Sequence, residues 1–221
     1  MSETTHHSHQ DHQDGHAPGG IRAMAASATL HCLTGCAIGE ISGLVIGTAA
    51  GLATGSTIAL SIALAFVFGF TLSSLPLLRA GLSVGAALGV VVAADTLSIA
   101  TMEVVDNLVM ALVPGAMDAG LVNAVFWIGM AISLAAAFVA AYPVNLHLLR
   151  RGKGHALTHE YHHGASSVTG ARRFIPSFPT GVLVAVLVGF LLGGLLVSLA
   201  DAAGGQDDDG TSGGHAAAVV R

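Results

Sequence analysis

Cys32, Cys36 and Glu40 recur every four residues in the string His31-Cys32-Leu33-Thr34-Gly35-Cys36-Ala37-Ile38-Gly39-Glu40. On a helix that step stacks side chains one turn apart on a single face. Thiolate and imidazole are soft or borderline ligands that suit copper(I) and zinc. His31, Cys32 and Cys36 are therefore candidate metal ligands, for one ion or as successive stops on a path. Cysteine is also a small buried hydrophobe, so the sulfurs alone decide little. Glu40 adds more, because a carboxyl within an apolar run is costly in lipid unless partnered and marks function by default.

A second string, Asp95-Thr96-Leu97-Ser98-Ile99-Ala100-Thr101-Met102-Glu103-Val104-Val105-Asp106-Asn107-Leu108-Val109-Met110, carries acids through another apolar run. At about 100° per residue, Asp95, Met102, Asp106 and Met110 fall within about 80° of arc, with Glu103 and Asn107 on the adjoining flank. Acids so placed cannot face lipid and must turn to a bundle interior or a wet cavity. Counting depth at about 1.5 Å per residue puts Cys36 and Glu40 level with Asp95 to Glu103, and Asp106 and Met110 beyond them. Two chemistries follow. Glu40, Met102, Asp106 and Met110 can extend a metal ladder from His31, Cys32 and Cys36. Alternatively Glu40, Asp95, Glu103, Asp106 and Asn107 form a proton relay. Further on, Pro143 loosens its helix, and Asn145 and His147 then reach toward His31.

Histidine is over-represented, with 12 residues against 8 lysines and arginines. His6, His7, His9, His12 and His16 lie in a polar N-terminal segment that reads as a metal-sequestering tail. His155, His159, Glu160, His162 and His163 form a second cluster. His159-Glu160-Tyr161-His162-His163 matches H-E-x-x-H, the zinc-hydrolase pattern, but a histidine-rich segment produces that pattern by chance. His155, His159 and His163, four apart, instead suggest an imidazole face that captures metal.

These residues must be positioned by helices in a membrane. Charged residues are 10% and hydrophobic residues 53%, against roughly 25% charged in a soluble domain. A soluble globular enzyme is excluded, as is nucleic-acid binding at a net charge of -5 without a basic stripe. With 2 cysteines there is no disulfide scaffold. Apolar runs at about 25–53, 57–78, 86–113, 121–149 and 178–199 are each long enough to span a bilayer. The expected fold is all-α, a polytopic bundle of five transmembrane helices. Residues 1–24 and 201–221 read as disordered tails. Residues 25–149 form a four-helix core, 150–179 a His-rich loop, and 180–200 the fifth helix.

Arg22, Arg79, Arg150, Arg151, Lys153, Arg172 and Arg173 share one side under this count. The positive-inside rule then places the N-terminus in the cytoplasm, in a plasma (inner) membrane. Residues 1–20 lack the basic start and apolar core of a cleavable signal. Gly35, Gly39, Gly43, Gly47, Gly51 and Gly55 also step by four. Such a stripe lets two backbones approach closely, either within the chain or in a homo-oligomer.

The combination H-C-x-x-G-C-x-x-G-E, D-T-x-S-I-x-x-M-E-x-x-D-N and Y-P-V-N-x-x-L resembles a prokaryotic membrane-protein family catalogued as a domain of unknown function, over about residues 25–165. The resemblance implies a helical membrane bundle and no activity. It carries His31, Cys32, Cys36, Glu40, Asp95, Met102, Glu103, Asp106 and Asn107 as motif positions without roles. From the residues, the leading expectation is a membrane protein that binds a transition metal, copper before zinc, and transports or exports it. The first alternative is a proton- or cation-coupled transporter of a small solute using the intramembrane carboxylates. A membrane-bound, metal-dependent redox enzyme and a pH-sensing bundle are further alternatives. No residue is assigned as catalytic, and the expected partners are lipid and a metal ion.

Overall fold

The structure, a computed structural model, describes residues 18–151, 174–176 and 178–211. The N-terminal histidines, the cluster from His155 to His163 and His215 lie outside the described residues. Among the described residues five helices run up and down: α1 (Pro18–Ala49), α2 (Thr54–Arg79), α3 (Val84–Leu112), α4 (Ala124–Arg150) and α5 (Thr180–Thr211). Each is long and apolar enough to cross a membrane, the pattern of a multi-pass membrane protein. No strand occurs among the described residues.

The helix limits differ from the expected runs at two places. α1 begins at Pro18, inside the segment 1–24 read as disordered. α5 continues to Thr211, into the segment 201–221 also read as disordered. Extending an existing helix fixes one residue per added hydrogen bond, so propagation is easy where nucleation is not.

Local chemistry sets the ends. α1 and α2 both close with a left-handed glycine, Gly51 at φ 64° and Gly81 at φ 111°. After each, a leucine N–H reaches back five residues, Leu52 to the Gly47 carbonyl (2.9 Å) and Leu82 to the Leu77 carbonyl (3.1 Å). Both satisfy carbonyls that the helix itself leaves open. Ser83 caps α3 by accepting from the Ala86 N–H, and Asn123 caps α4 by accepting from the Val125 N–H.

The glycine stripe is used within the chain. A Cβ at Gly35 would lie 2.5 Å from the Gly69 Cα on α2. At Gly39 it would strike the Ala65 backbone, at Gly43 Ser61, and at Gly47 Thr57. α1 and α2 thus lie backbone to backbone over about two turns, from Gly35 to Gly43, and a homo-oligomer through this stripe would have to displace α2. Gly51 and Gly55 drop out of the stripe: the first sits in the turn after α1, the second in the first turn of α2, and both face open space.

α3 packs chiefly on α4 and closes on the α1–α2 pair. The core between them holds Cys32, Cys36, Ile99, Met102, Trp127 and Leu134. α5 adds Leu187 to this core, with Leu191 and Leu195 packed against it. Gly194 takes the Trp127 ring where a Cβ would otherwise sit. Thr180 and Ser27 hydroxyls pair at 3.0 Å, and the Ser198 hydroxyl donates to the Leu121 carbonyl at 3.2 Å. The other side of α5, including Val186, Leu196 and Val197, is exposed, as a face turned to lipid would be.

Candidate functional site: a ladder of buried carboxyls beneath a cavity

The arginines Arg22, Arg79, Arg150 and Arg151 mark one end of the bundle, called here the basic end. At the opposite end the helices part around a cavity of about 220 Å³. Its rim carries exposed Thr48, Leu52 and Thr54. Its walls include Met110, Met130 and Phe126. Its floor is formed by Glu40 of α1 and Asp106 of α3, with Asn107 beside them. Among the described residues no lysine, arginine or histidine lines it.

Glu40 and Asp106 lie within hydrogen-bonding reach of each other. Both Glu40 carboxyl oxygens are buried and receive no hydroxyl or amide donor, and the same holds for Asp106 Oδ1. Asp106 also faces the Ser133 hydroxyl of α4. Two carboxyls hydrogen-bond to each other only when one of them holds a proton. The Ser61 hydroxyl donates to the Glu40 backbone carbonyl at 3.3 Å, fastening this level of α1 to α2.

One turn toward the basic end, Glu103 faces Cys36, and it also neighbours Asp106 and Glu40. Neither Glu103 oxygen has a hydroxyl or amide donor. One turn further along α1, Asp95 and Ser73 flank Cys32, with the Ser73 Oγ 3.9 Å from the Cys32 sulfur. Asp95, Ser98 and Ser73 are all buried. Nearer the basic end, the Asn145 amide of α4 donates to the Thr29 hydroxyl at 2.9 Å. Thr29 in turn donates to the Ala25 carbonyl at 2.7 Å. Polar groups therefore follow one another from the cavity floor through most of the bundle.

This register corrects the depth expected from the sequence. Glu40 is level with Asp106, about a turn beyond the stretch Asp95 to Glu103 expected for it, while Cys36 meets Glu103 at the edge of that stretch. The seating of α1 on α2, with Ser61 filling the space at Gly43 and holding the Glu40 carbonyl, fixes this level. Counted from Pro18 and Val84, Glu40 and Asp106 are each the twenty-third residue of their helices.

The candidate ligands are spread along the bundle. Cys32 meets Asp95 and Ser73, Cys36 meets Glu103, and Glu40 meets Asp106. Met102 is packed in the apolar core and Met110 in the cavity wall. His31 Nδ1 lies 2.8 Å from the Ser27 carbonyl of its own helix. Among the described residues no group of three or more His, Cys, Asp and Glu side chains is arranged to hold a metal ion. Asn145 is buried against Thr29 and does not wait at the surface, whereas His147 is exposed. Asn107 donates to the Glu103 backbone carbonyl at 2.9 Å.

Sequence reasoning missed Ser73, Ser133 and Thr29. Each is a hydroxyl inside an apolar run, and its only signal is that a neighbouring helix carries an acid, a cysteine or an amide.

The bundle is thus a five-helix membrane protein with carboxyls stacked beneath a cavity. The family described as Domain of unknown function (DUF4396) matches residues 22–154, and the chain belongs to it. The match takes in α1 to α4, which supply the whole site, and ends before α5. No curated protein and no solved structure matches the chain.

Proposed function

We propose that the protein is a proton- or cation-coupled transporter of a small solute, working through its intramembrane carboxyls. One observation carries this reading: the cavity floor, Glu40 and Asp106, continues into Glu103 with Cys36 and then toward Asp95 with Cys32. Ionisable groups at membrane depth mark ion pathways and proton relays. The arginines at the basic end support a cytoplasmic N-terminus in a plasma membrane. In that orientation the cavity opens outward.

The chemistry is then simple. A proton entering from the cavity is taken by the Glu40–Asp106 pair. It passes to Glu103, which neighbours both. The chain of carboxyls and hydroxyls beyond leads it toward the basic end. A solute held at the floor competes for the same carboxyls, and that competition links its movement to the proton.

The test is the full chain in liposomes with a pH-sensitive dye inside. Gradients of small cations, anions and neutral solutes are applied in turn. One solute class is expected to shift the internal pH, and Glu103→Gln to abolish the shift. If no class moves the internal pH, the reading falls.

A further inference from the structure

We propose that the cavity above Glu40 and Asp106 is a binding site for a small organic cation, an ammonium or guanidinium group carrying a short apolar body. The inference deepens the transport reading and rests on it for its purpose, though not for its chemistry. Asp106 is 5% exposed, lines the cavity and keeps its Oδ1 without a hydrogen-bond donor. Glu40 lines the same floor with both oxygens buried and without a hydroxyl or amide donor. A ligand that brings donors and positive charge meets these acids by drawing their buried oxygens toward the cavity, and no basic side chain among the described lining residues competes for them. Ammonium and guanidinium bring both.

The walls argue against a hard metal ion. A hard metal ion needs about six or more oxygen ligands. Here Met110, Met130 and Phe126 stand over the carboxyls. Thioether and aromatic surfaces favour a polarizable organic cation, the aromatic face through its negative quadrupole. At about 220 Å³ the cavity is smaller than a drug-sized pocket. The ligand is therefore small, and its apolar part is short.

The experiment is equilibrium binding of radiolabelled guanidinium to the full chain in lipid nanodiscs. Binding is expected to saturate, to be displaced by ethylammonium, and to be untouched by acetamide, acetate or an equal concentration of sodium. Asp106→Asn should weaken it by about tenfold or more. The competition series uses the unaltered protein, so it stands whether or not the variant folds. Absence of saturable binding overturns the proposal. So does displacement by acetamide or sodium, or unchanged binding in a folded Asp106→Asn protein. Binding without any solute-driven proton movement in liposomes would refute the transport reading and leave this site standing. Proton-coupled flux without guanidinium or ethylammonium binding would do the reverse.

Discussion

Glu40 on α1 and Asp106 on α3 meet at the closed end of the cavity, level with each other, with Glu103 directly beneath. The close approach of α1 to α2 helps to set this level, because Ser61 of α2 both fills the space at Gly43 and holds the Glu40 carbonyl. The apolar stripe and the polar ladder are therefore two faces of one helix. The first fixes where the second stands.

That dependence gives a graded test. Gly39→Ala pushes a methyl into the Ala65 backbone, which cannot yield as a flexible side chain would. Overpacking of this kind costs about 1–3 kcal/mol. Thermal unfolding in detergent should show the loss for Gly39→Ala and none for Gly55→Ala, whose Cβ meets open space. Equal effects would mean that the stripe does not seat α2.

The Asn145–Thr29 bond links α4 to α1 in the buried region near the basic end. Asn145→Ala and Thr29→Val should show coupling in a double-mutant cycle. Interhelical hydrogen bonds in membranes average about 0.6 and reach about 1.7 kcal/mol. Additive unfolding energies would show that the pair does not interact.

The closest approach of α5 to the bundle is the notch of Gly194 against the single tryptophan, Trp127. Gly194→Leu should lower the unfolding temperature. Adding Trp127→Ala should restore part of it by reopening the space. A double variant worse than the sum of the singles would place α5 elsewhere.

The cysteines separate proton handling from metal handling. In the proton ladder they flank carboxyls and carry nothing, so Cys32→Ser and Cys36→Ser should keep most of the solute-driven pH change. Both sulfurs are first in the ladder of soft ligands that the sequence suggests, and a metal pathway through them would lose its flux on either substitution. Flux in liposomes measured for both variants decides between the two.

Much of the architecture was legible before any coordinates. Runs of apolar residues longer than a bilayer is thick mark five spans, and acids within them must face inward. The shared face of Asp95, Met102 and Asp106 was visible from the helical period. What was hidden depends on two helices at once. The Glu40–Asp106 pairing turns on how α1 seats against α2 through Gly39, Gly43 and Ser61, which neither run states alone. A glycine stripe states that something comes close without naming it, since another copy and α2 fit the same pattern. Ser73 and Ser133 acquire meaning only from the acid or thiol opposite. The cavity belongs to no segment, because four helices and two turns enclose it.

The most direct measurement follows solute uptake and proton movement together, in the same liposomes, for the full chain and for Glu40→Gln. The amide replaces a buried carboxyl that has no hydroxyl or amide donor, so the folded state should survive the change, which size-exclusion and thermal unfolding can verify. In the unaltered protein the two fluxes should rise and fall in a fixed ratio. In folded Glu40→Gln both should fall together, by about two orders of magnitude if the carboxyl transfers the proton. Solute uptake that proceeds without proton movement, or that is unchanged in folded Glu40→Gln, would contradict a transport mechanism built on these carboxyls.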